Sequence, residues 1–174
     1  LLFLSGCIVH VSTSSANIQQ QQQRSISASQ LQQLSINAEA GSLKVIGSTT
    51  ATNISVDATI YTAKSDDPYI LTLEQKGDKA VLIAKNYSSS GIVVYQGNSP
   101  SIDLVITVPS SFNLEIDDDS GDIDIAGVLG NIIIDDDSGS IRIDQGHHVT
   151  IDDDSGDIDL QNITGNVEIS DDSG

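Results

Sequence analysis

The chain has 174 residues, room for one domain, and a formal net charge of −18, with 3% aromatics and no Trp or Met. The charge is concentrated at one end: residues 113–174 hold 18 of the 25 acidic side chains and one basic residue, Arg142, whereas residues 1–112 are nearly neutral. So acidic a chain excludes nucleic acid as a partner, because phosphate is bound by Lys and Arg. A core without large rings must be built from Ile, Leu and Val, which suit strands.

In chain order, the first element is a processing signal. Leu1-Leu2-Phe3-Leu4 is an apolar run and Ser5-Gly6-Cys7 follows it; small residues before a cleavage point are what a signal peptidase accepts. Leu4-Ser5-Gly6-Cys7 resembles the bacterial lipobox. On that resemblance residues 1–7 are the end of a signal peptide that begins upstream, and Cys7 is the lipidated first residue of the mature protein. The expected partner is then a membrane, reached through the lipid. Several acyl chains at one cysteine suffice for stable attachment where a single chain is marginal. Ile8, where Asp would retain the protein at the inner membrane, favours the outer membrane. Cys7 is the only cysteine, which excludes an internal disulfide. Residues 8–33 are rich in Ser and Gln, with Gln19 to Gln23 in a row. Such a tract buries too little surface to offset its ordering entropy, so it is expected to be a flexible tether.

The folded domain is expected over 34–174, all-β, as no window shows helical spacing. Ser35 to Ala40 and Asn53 to Tyr61 alternate with period 2, as half-buried strands do. Ser65-Asp66-Asp67-Pro68 is a turn. Ile70 to Gln75 and Ala80 to Ala84 flank a hairpin turn at Gly77-Asp78. Ser88 to Gly91 is loop, and Ile102 to Val108 is a strand ended by Pro109.

From residue 113 a repeat takes over. Ile-Asp-Asp-Asp-Ser-Gly begins at Ile116, Ile134 and Ile151, and Ile-Ser-Asp-Asp-Ser-Gly at Ile169, spacings of 18, 17 and 18 residues. Each half of the repeat ends in apolar-x-apolar and carries a turn, with Gly fifth in all but one shortened half. A three-residue strand with a turn cannot stand alone and must stack on its neighbours. The expectation is a single-domain parallel β-solenoid, β-helix or β-roll-like, with 17–18-residue coils and less regular strands before residue 113. Period 2 turns Ile123, Ile125, Ile141, Ile143, Ile158 and Leu160 inward on one sheet. On the other it turns Leu114, Ile116, Ile132, Ile134, Val149, Ile151, Val167 and Ile169 inward. Gly41-Ser42-Leu43-Lys44-Val45 has the same form as Gly121-Asp122-Ile123-Asp124-Ile125, so the grammar starts early. The last Ser-Gly has no strand after it, so the natural chain is expected to continue.

The run from Leu34 (L-S-I-N-A-E-A-G-S-L-K-V), the run Ile102 to Pro109 (I-D-L-V-I-T-V-P) and the S-G-D-I and G-x-x-G-N-V repeats resemble the bacterial "putative adhesin" family of unknown function. The resemblance implies an envelope-associated β-solenoid without enzymatic activity, structural or adhesive in role. Where such repeats carry neutral residues, this chain has Asp triplets.

Stacked at about 4.8 Å, those triplets form columns of like charge, each pair costing about 1 kcal/mol in water and roughly 3 at an effective dielectric of 20. Relief can come from solvent and salt, from protonation, from backbone N–H groups, or from Ca²⁺, which takes many carboxylate oxygens. The calcium candidates are Asp117, Asp119, Asp135, Asp137, Asp152 and Asp154. The grammar of known calcium loops does not fit: an EF-hand frame places Ile116 and Gly127 where carboxylates are needed. The nine-residue β-roll repeat requires a double Gly that is missing, and alternate half-repeats such as Ala126 to Ile134 hold no Asp. A calcium-binding β-roll-like module, or a β-helix acting on polysaccharide, is therefore the alternative function. No cofactor is otherwise expected.

No catalytic set is expected. Asp-Ser-Gly is also the aspartic-protease triplet, but four copies in a repeat make it a turn. Arg142, the only base on the repeats, is expected between Asp124 and Asp159 on the outer face, relieving that ladder. His147 and His148 are expected in a solvated turn.

Overall fold

The computed structural model describes residues 18–64, 67–86 and 100–173. Fourteen strands are found among them: β1 (Ile18–Ser27), β2 (Gln33–Ala38), β3 (Leu43–Ser48), β4 (Asn53–Thr62), β5 (Tyr69–Lys76), β6 (Lys79–Asn86), β7 (Ser101–Pro109), β8 (Asn113–Asp118), β9 (Ile123–Ala126), β10 (Ile132–Asp136), β11 (Ile141–Gly146), β12 (Val149–Asp153), β13 (Ile158–Ile163) and β14 (Val167–Asp171). They form two seven-stranded sheets, ordered β1-β4-β7-β3-β9-β11-β13 and β14-β12-β10-β8-β2-β6-β5.

Both sheets are mixed, and this corrects the expected fold: the domain is all-β but not a single parallel β-solenoid. β4 pairs antiparallel with β1 and with β7, and β5 pairs antiparallel with β6. The cause is strand length. The strands before residue 110 include several of eight to ten residues. Such strands offer enough backbone to pair antiparallel: β5 with β6 as a hairpin across the turn at Gly77-Asp78, with φ +69° at Gly77, and β4 with the non-consecutive β1 and β7. After residue 113 the strands are four to six residues long and alternate between the sheets. There each pairs in parallel with the strand one repeat away, Ile116 beside Ile134 beside Ile151 beside Ile169.

The core lies between the sheets. Period 2 aims Leu34 and Ile36, Leu43 and Val45, Ile54 and Ile60, Leu82, Leu104 and Ile106 into it, together with the repeat isoleucines. The inward assignments at residues 114–151 hold, and Val128 plugs its corner with no exposed surface. Ile158 and Leu160 are half-buried and Val167 and Ile169 exposed, because β13 and β14 are covered on one side only.

The Gln tract is the second correction. Residues 18–27 are not tether but the edge strand β1, in ten-residue register with β4 from Ile18↔Thr62 to Ser27↔Asn53. Its side chains bury little, as composition implied. β4 supplies the backbone partners, and Gln23 Nε2 donates to Asp57 at 2.6 Å. Ala28 and Leu31, inside the expected tether, are core residues. The turn residues Ser65 and Asp66, the loop Ser88 to Gly91 and the lipidation candidate Cys7 lie outside the described residues.

Candidate functional site

The repeats are joined at their corners by three columns. Gly41, Gly121, Gly139 and Gly156 stack: a Cβ on Gly121 would lie 1.9 Å from the Gly41 carbonyl oxygen, one on Gly139 1.9 Å from that of Gly121, and one on Gly156 1.7 Å from that of Gly139. Only glycine permits this approach. Beside them the hydroxyls of Ser120, Ser138, Ser155 and Ser173 donate to the carbonyls of Glu39, Asp119, Asp137 and Asp154, each one repeat below. At the opposite corner Asn113 Oδ1 accepts from the Asn131 N–H, Asn131 Oδ1 from that of His148, and His148 Nδ1 from that of Asn166. His148 thus occupies an Asn position in a capping column, and its Nδ1 must be unprotonated to accept. His147 packs against it with the ring planes tilted by 51° and the centroids 4.1 Å apart, and its Nδ1 lies 3.3 Å from Thr164 Oγ1.

The Asp triplets split by direction. Strands β8, β10 and β12 run on past their last isoleucine, so period 2 continues into the acidic residues. The calcium candidates Asp117, Asp135, Asp137, Asp152 and Asp154 are exposed, and Asp119 is intermediate. Asn37 Nδ2 donates to Asp117 Oδ2 at 2.6 Å. The middle residues, which sequence reasoning did not single out, turn inward. Asp118, Asp136 and Asp153 are 1–2% exposed. They are in register, Asp118 beside Asp136 beside Asp153, with Asp171 next. Toward the other end the same column continues as Ala38 and Ala84. The signal was available: Leu114-Glu115-Ile116-Asp117 alternates apolar with acidic, and continuing the period turns Asp118 inward, but the change from apolar to acidic at that position hid it.

Both carboxylate oxygens of Asp118 and of Asp136, and one of Asp153, are buried without a hydrogen-bond partner. The other Asp153 oxygen accepts from the Ser155 N–H at 3.2 Å. Burial pushes Asp118 up to about 6, with Asp119 adding to it; the Ser120 and Asp119 amides pull the other way, short of hydrogen-bond geometry. Burial pushes Asp136 up to about 7, reinforced by Asp118 and Asp153. Asp153 is raised by burial and by Asp171 and Asp154, against the Ser155 amide. Asp119 is raised by burial and by Glu39, Asp137 and Asp117, against Lys85. Desolvation acts on the charged form and so favours the acid.

Among the described residues no three His, Cys, Asp or Glu side chains are grouped to hold a metal ion. On the outer face of the sheet that contains β9, β11 and β13, Arg142 stands between Asp124 and Asp159 in register, with Nε 3.4 Å from Asp159 Oδ2. Lys44 Nζ is 3.0 Å from Asp124 Oδ2, so the ladder alternates in sign. Asp122, Ser140 and Asp157 complete a shallow open groove around Arg142.

No family model matches the chain, and no curated protein does. Among solved structures it is similar to a putative cell adhesion protein from Clostridium sporogenes, 10% identical with a TM-score of 0.44, the match covering 88% of this chain and 99% of that one. It is also similar to a putative adhesin from Bacteroides fragilis, 11% identical, TM-score 0.31, covering 91% and 98%. A third, from Parabacteroides distasonis, is 14% identical, TM-score 0.35, covering 88% and 80%. Likenesses this distant do not assign a function.

Proposed function

We propose that this is a non-catalytic protein of the bacterial cell envelope, lipid-anchored at Cys7 in the outer membrane, that holds a rigid two-sheet domain close to the membrane as a structural or adhesive element. The observation that carries the reading is how the polar side chains are used. On the outer faces they are spent on one another across strands: Lys44 with Asp124, Arg142 with Asp159, Lys79 and Gln33 with Glu115, Asn37 with Asp117. At the corners Ser and Asn side chains bind the next repeat's backbone. Surfaces built this way hold a shape, and the buried carboxylates are shut away from any substrate. With β1 starting at Ile18, ten residues separate it from Cys7. Ten residues span at most about 36 Å, so an anchor at Cys7 keeps the domain near the membrane.

The test is metabolic labelling with a fatty-acid analogue, with membrane fractionation, of the full-length protein and its Cys7→Ser variant. The expected outcome is label and outer-membrane partition in the wild type and neither in the variant. Equal membrane partition of both would overturn the anchor.

A further inference from the structure

The inward carboxylates are the feature the proposed function leaves unused. Five of the six carboxylate oxygens of Asp118, Asp136 and Asp153 have no hydrogen-bond partner and are buried. The three residues are successive members of one parallel register. The charged groups around them are nearly all of the same sign. Along the strands and their turns lie Asp117, Asp119, Asp135, Asp137, Asp152 and Asp154; Asp171 continues the column, and Glu39 lies near Asp119. Lys85 acts on Asp119. From across the corner, β9 and β11 turn Ile123, Ile125, Ile141 and Ile143 inward and hold Asp124 and Arg142 outside. The ion pairs Lys44–Asp124, Lys79–Glu115 and Arg142–Asp159 all lie away from the column.

A row of buried like charges at strand spacing, about 4.8 Å, requires a positive ligand. A calcium ion needs six to eight oxygens, and among the described residues no group of three acidic or His/Cys side chains is placed to hold a metal ion. A proton needs only two oxygens, and an O–H···O⁻ bond between stacked carboxyls is short and strong. We infer that Asp118, Asp136 and Asp153 form a proton-binding column, linked carboxyl to carboxyl along the stack, that makes the folded domain more stable in mildly acidic than in alkaline surroundings. The raised pKa values of Asp118 and Asp136 agree in sign. A carboxyl whose folded pKa lies above its unfolded value of 3.8 contributes stability that is complete below that value and is lost as pH rises through the folded one, here about 6 to about 7.

The experiment is thermal unfolding of the full chain at pH 5 and pH 8, at constant ionic strength, for three proteins. These are the wild type, the inward variant Asp118→Asn/Asp136→Asn/Asp153→Asn, and the outward variant Asp117→Asn/Asp135→Asn/Asp152→Asn. The outward variant removes the same formal charge and so controls for general repulsion. The wild type and outward variant are expected to lose on the order of 10 °C between the two pH values, and the inward variant much less. Equal losses in the wild type and the inward variant would overturn the inference. So would a wild-type Tm at pH 8 restored by millimolar calcium but not by sodium, which would make the ligand a metal. Should the inward variant fail to fold, carboxyl ¹³C titration of the folded wild type decides: midpoints for Asp118 and Asp136 well above 3.8 support the column, and ordinary ones overturn it.

Discussion

At the scale of single residues, the glycine corner leaves no room for a side chain. Gly139 has φ +148°, and a Cβ there would lie 1.9 Å from the Gly121 carbonyl oxygen, a backbone atom that cannot swing aside. Gly77 also has positive φ, +69°, but nothing lies within 4 Å of its virtual Cβ. Gly139→Ala is therefore expected to lose on the order of 2–4 kcal/mol, from strain and overpacking together. Gly77→Ala should lose roughly 1 kcal/mol, from the backbone conformation alone. Denaturant unfolding of the two variants checks this, and equal losses would show that the stacking of glycines contributes nothing. The stack was legible in the sequence: Gly41-Ser42-Leu43-Lys44-Val45 shares the form of Gly121 to Ile125, and the structure pairs Leu43 with Ile123 and Val45 with Ile125. The inward Asp residues were written in the same alternation but read as turn. An acidic residue at a core position is the pattern that hydrophobic periodicity discounts, and only the register shows that Asp118 continues the column of Ala38.

At the scale of elements, the sequence spoke clearly where the partner strand is one repeat away and poorly where it is not. β2 and β3 pair with β8 and β9, some 80 residues later, because β4 to β7 intervene in the chain but not between those strands in the sheets. No local pattern announces the pairing of β2 with β8, whereas the shared form of Gly41 to Val45 and Gly121 to Ile125 points to β3 beside β9. β1 is the extreme case, since Gln19 to Gln23 carry no strand signal and owe their conformation to β4. This gives a prediction. A chain starting at residue 28 leaves the ten-residue backbone of β4 as an open sheet edge, and open edges pair with other chains. It also loses Ile26, which packs on the core, and the Gln22–Tyr69 contact that ties β1 to the start of β5 in the other sheet. The shortened chain is expected to melt lower than the full one and to self-associate with rising concentration. Size-exclusion chromatography with light scattering reads the second effect. A monomer of unchanged Tm would mean that β1 only decorates the edge.

At the scale of the whole molecule, the unequal distribution of charge decides how the protein responds to salt. The repeats carry nearly all of the net charge, and their outward Asp117, Asp135 and Asp152 sit side by side in register. Each such pair in water costs about 1 kcal/mol, and the repulsion is screened as the Debye length falls from roughly 10 Å at 0.1 M salt to about 3 Å at 1 M. The surface ion pairs respond in the opposite sense, but Arg142–Asp159 and its like are exposed and each contributes under about 1 kcal/mol. Unpaired exposed carboxylates on the repeats outnumber these pairs, so repulsion sets the sign. The Tm at pH 8 is expected to rise by several degrees as sodium chloride increases from 0.05 M to about 1 M. The outward variant, with its acidic row removed, should rise less. A Tm that falls with salt would instead place the ion-pair ladders, rather than the acidic rows, in control of the domain's stability.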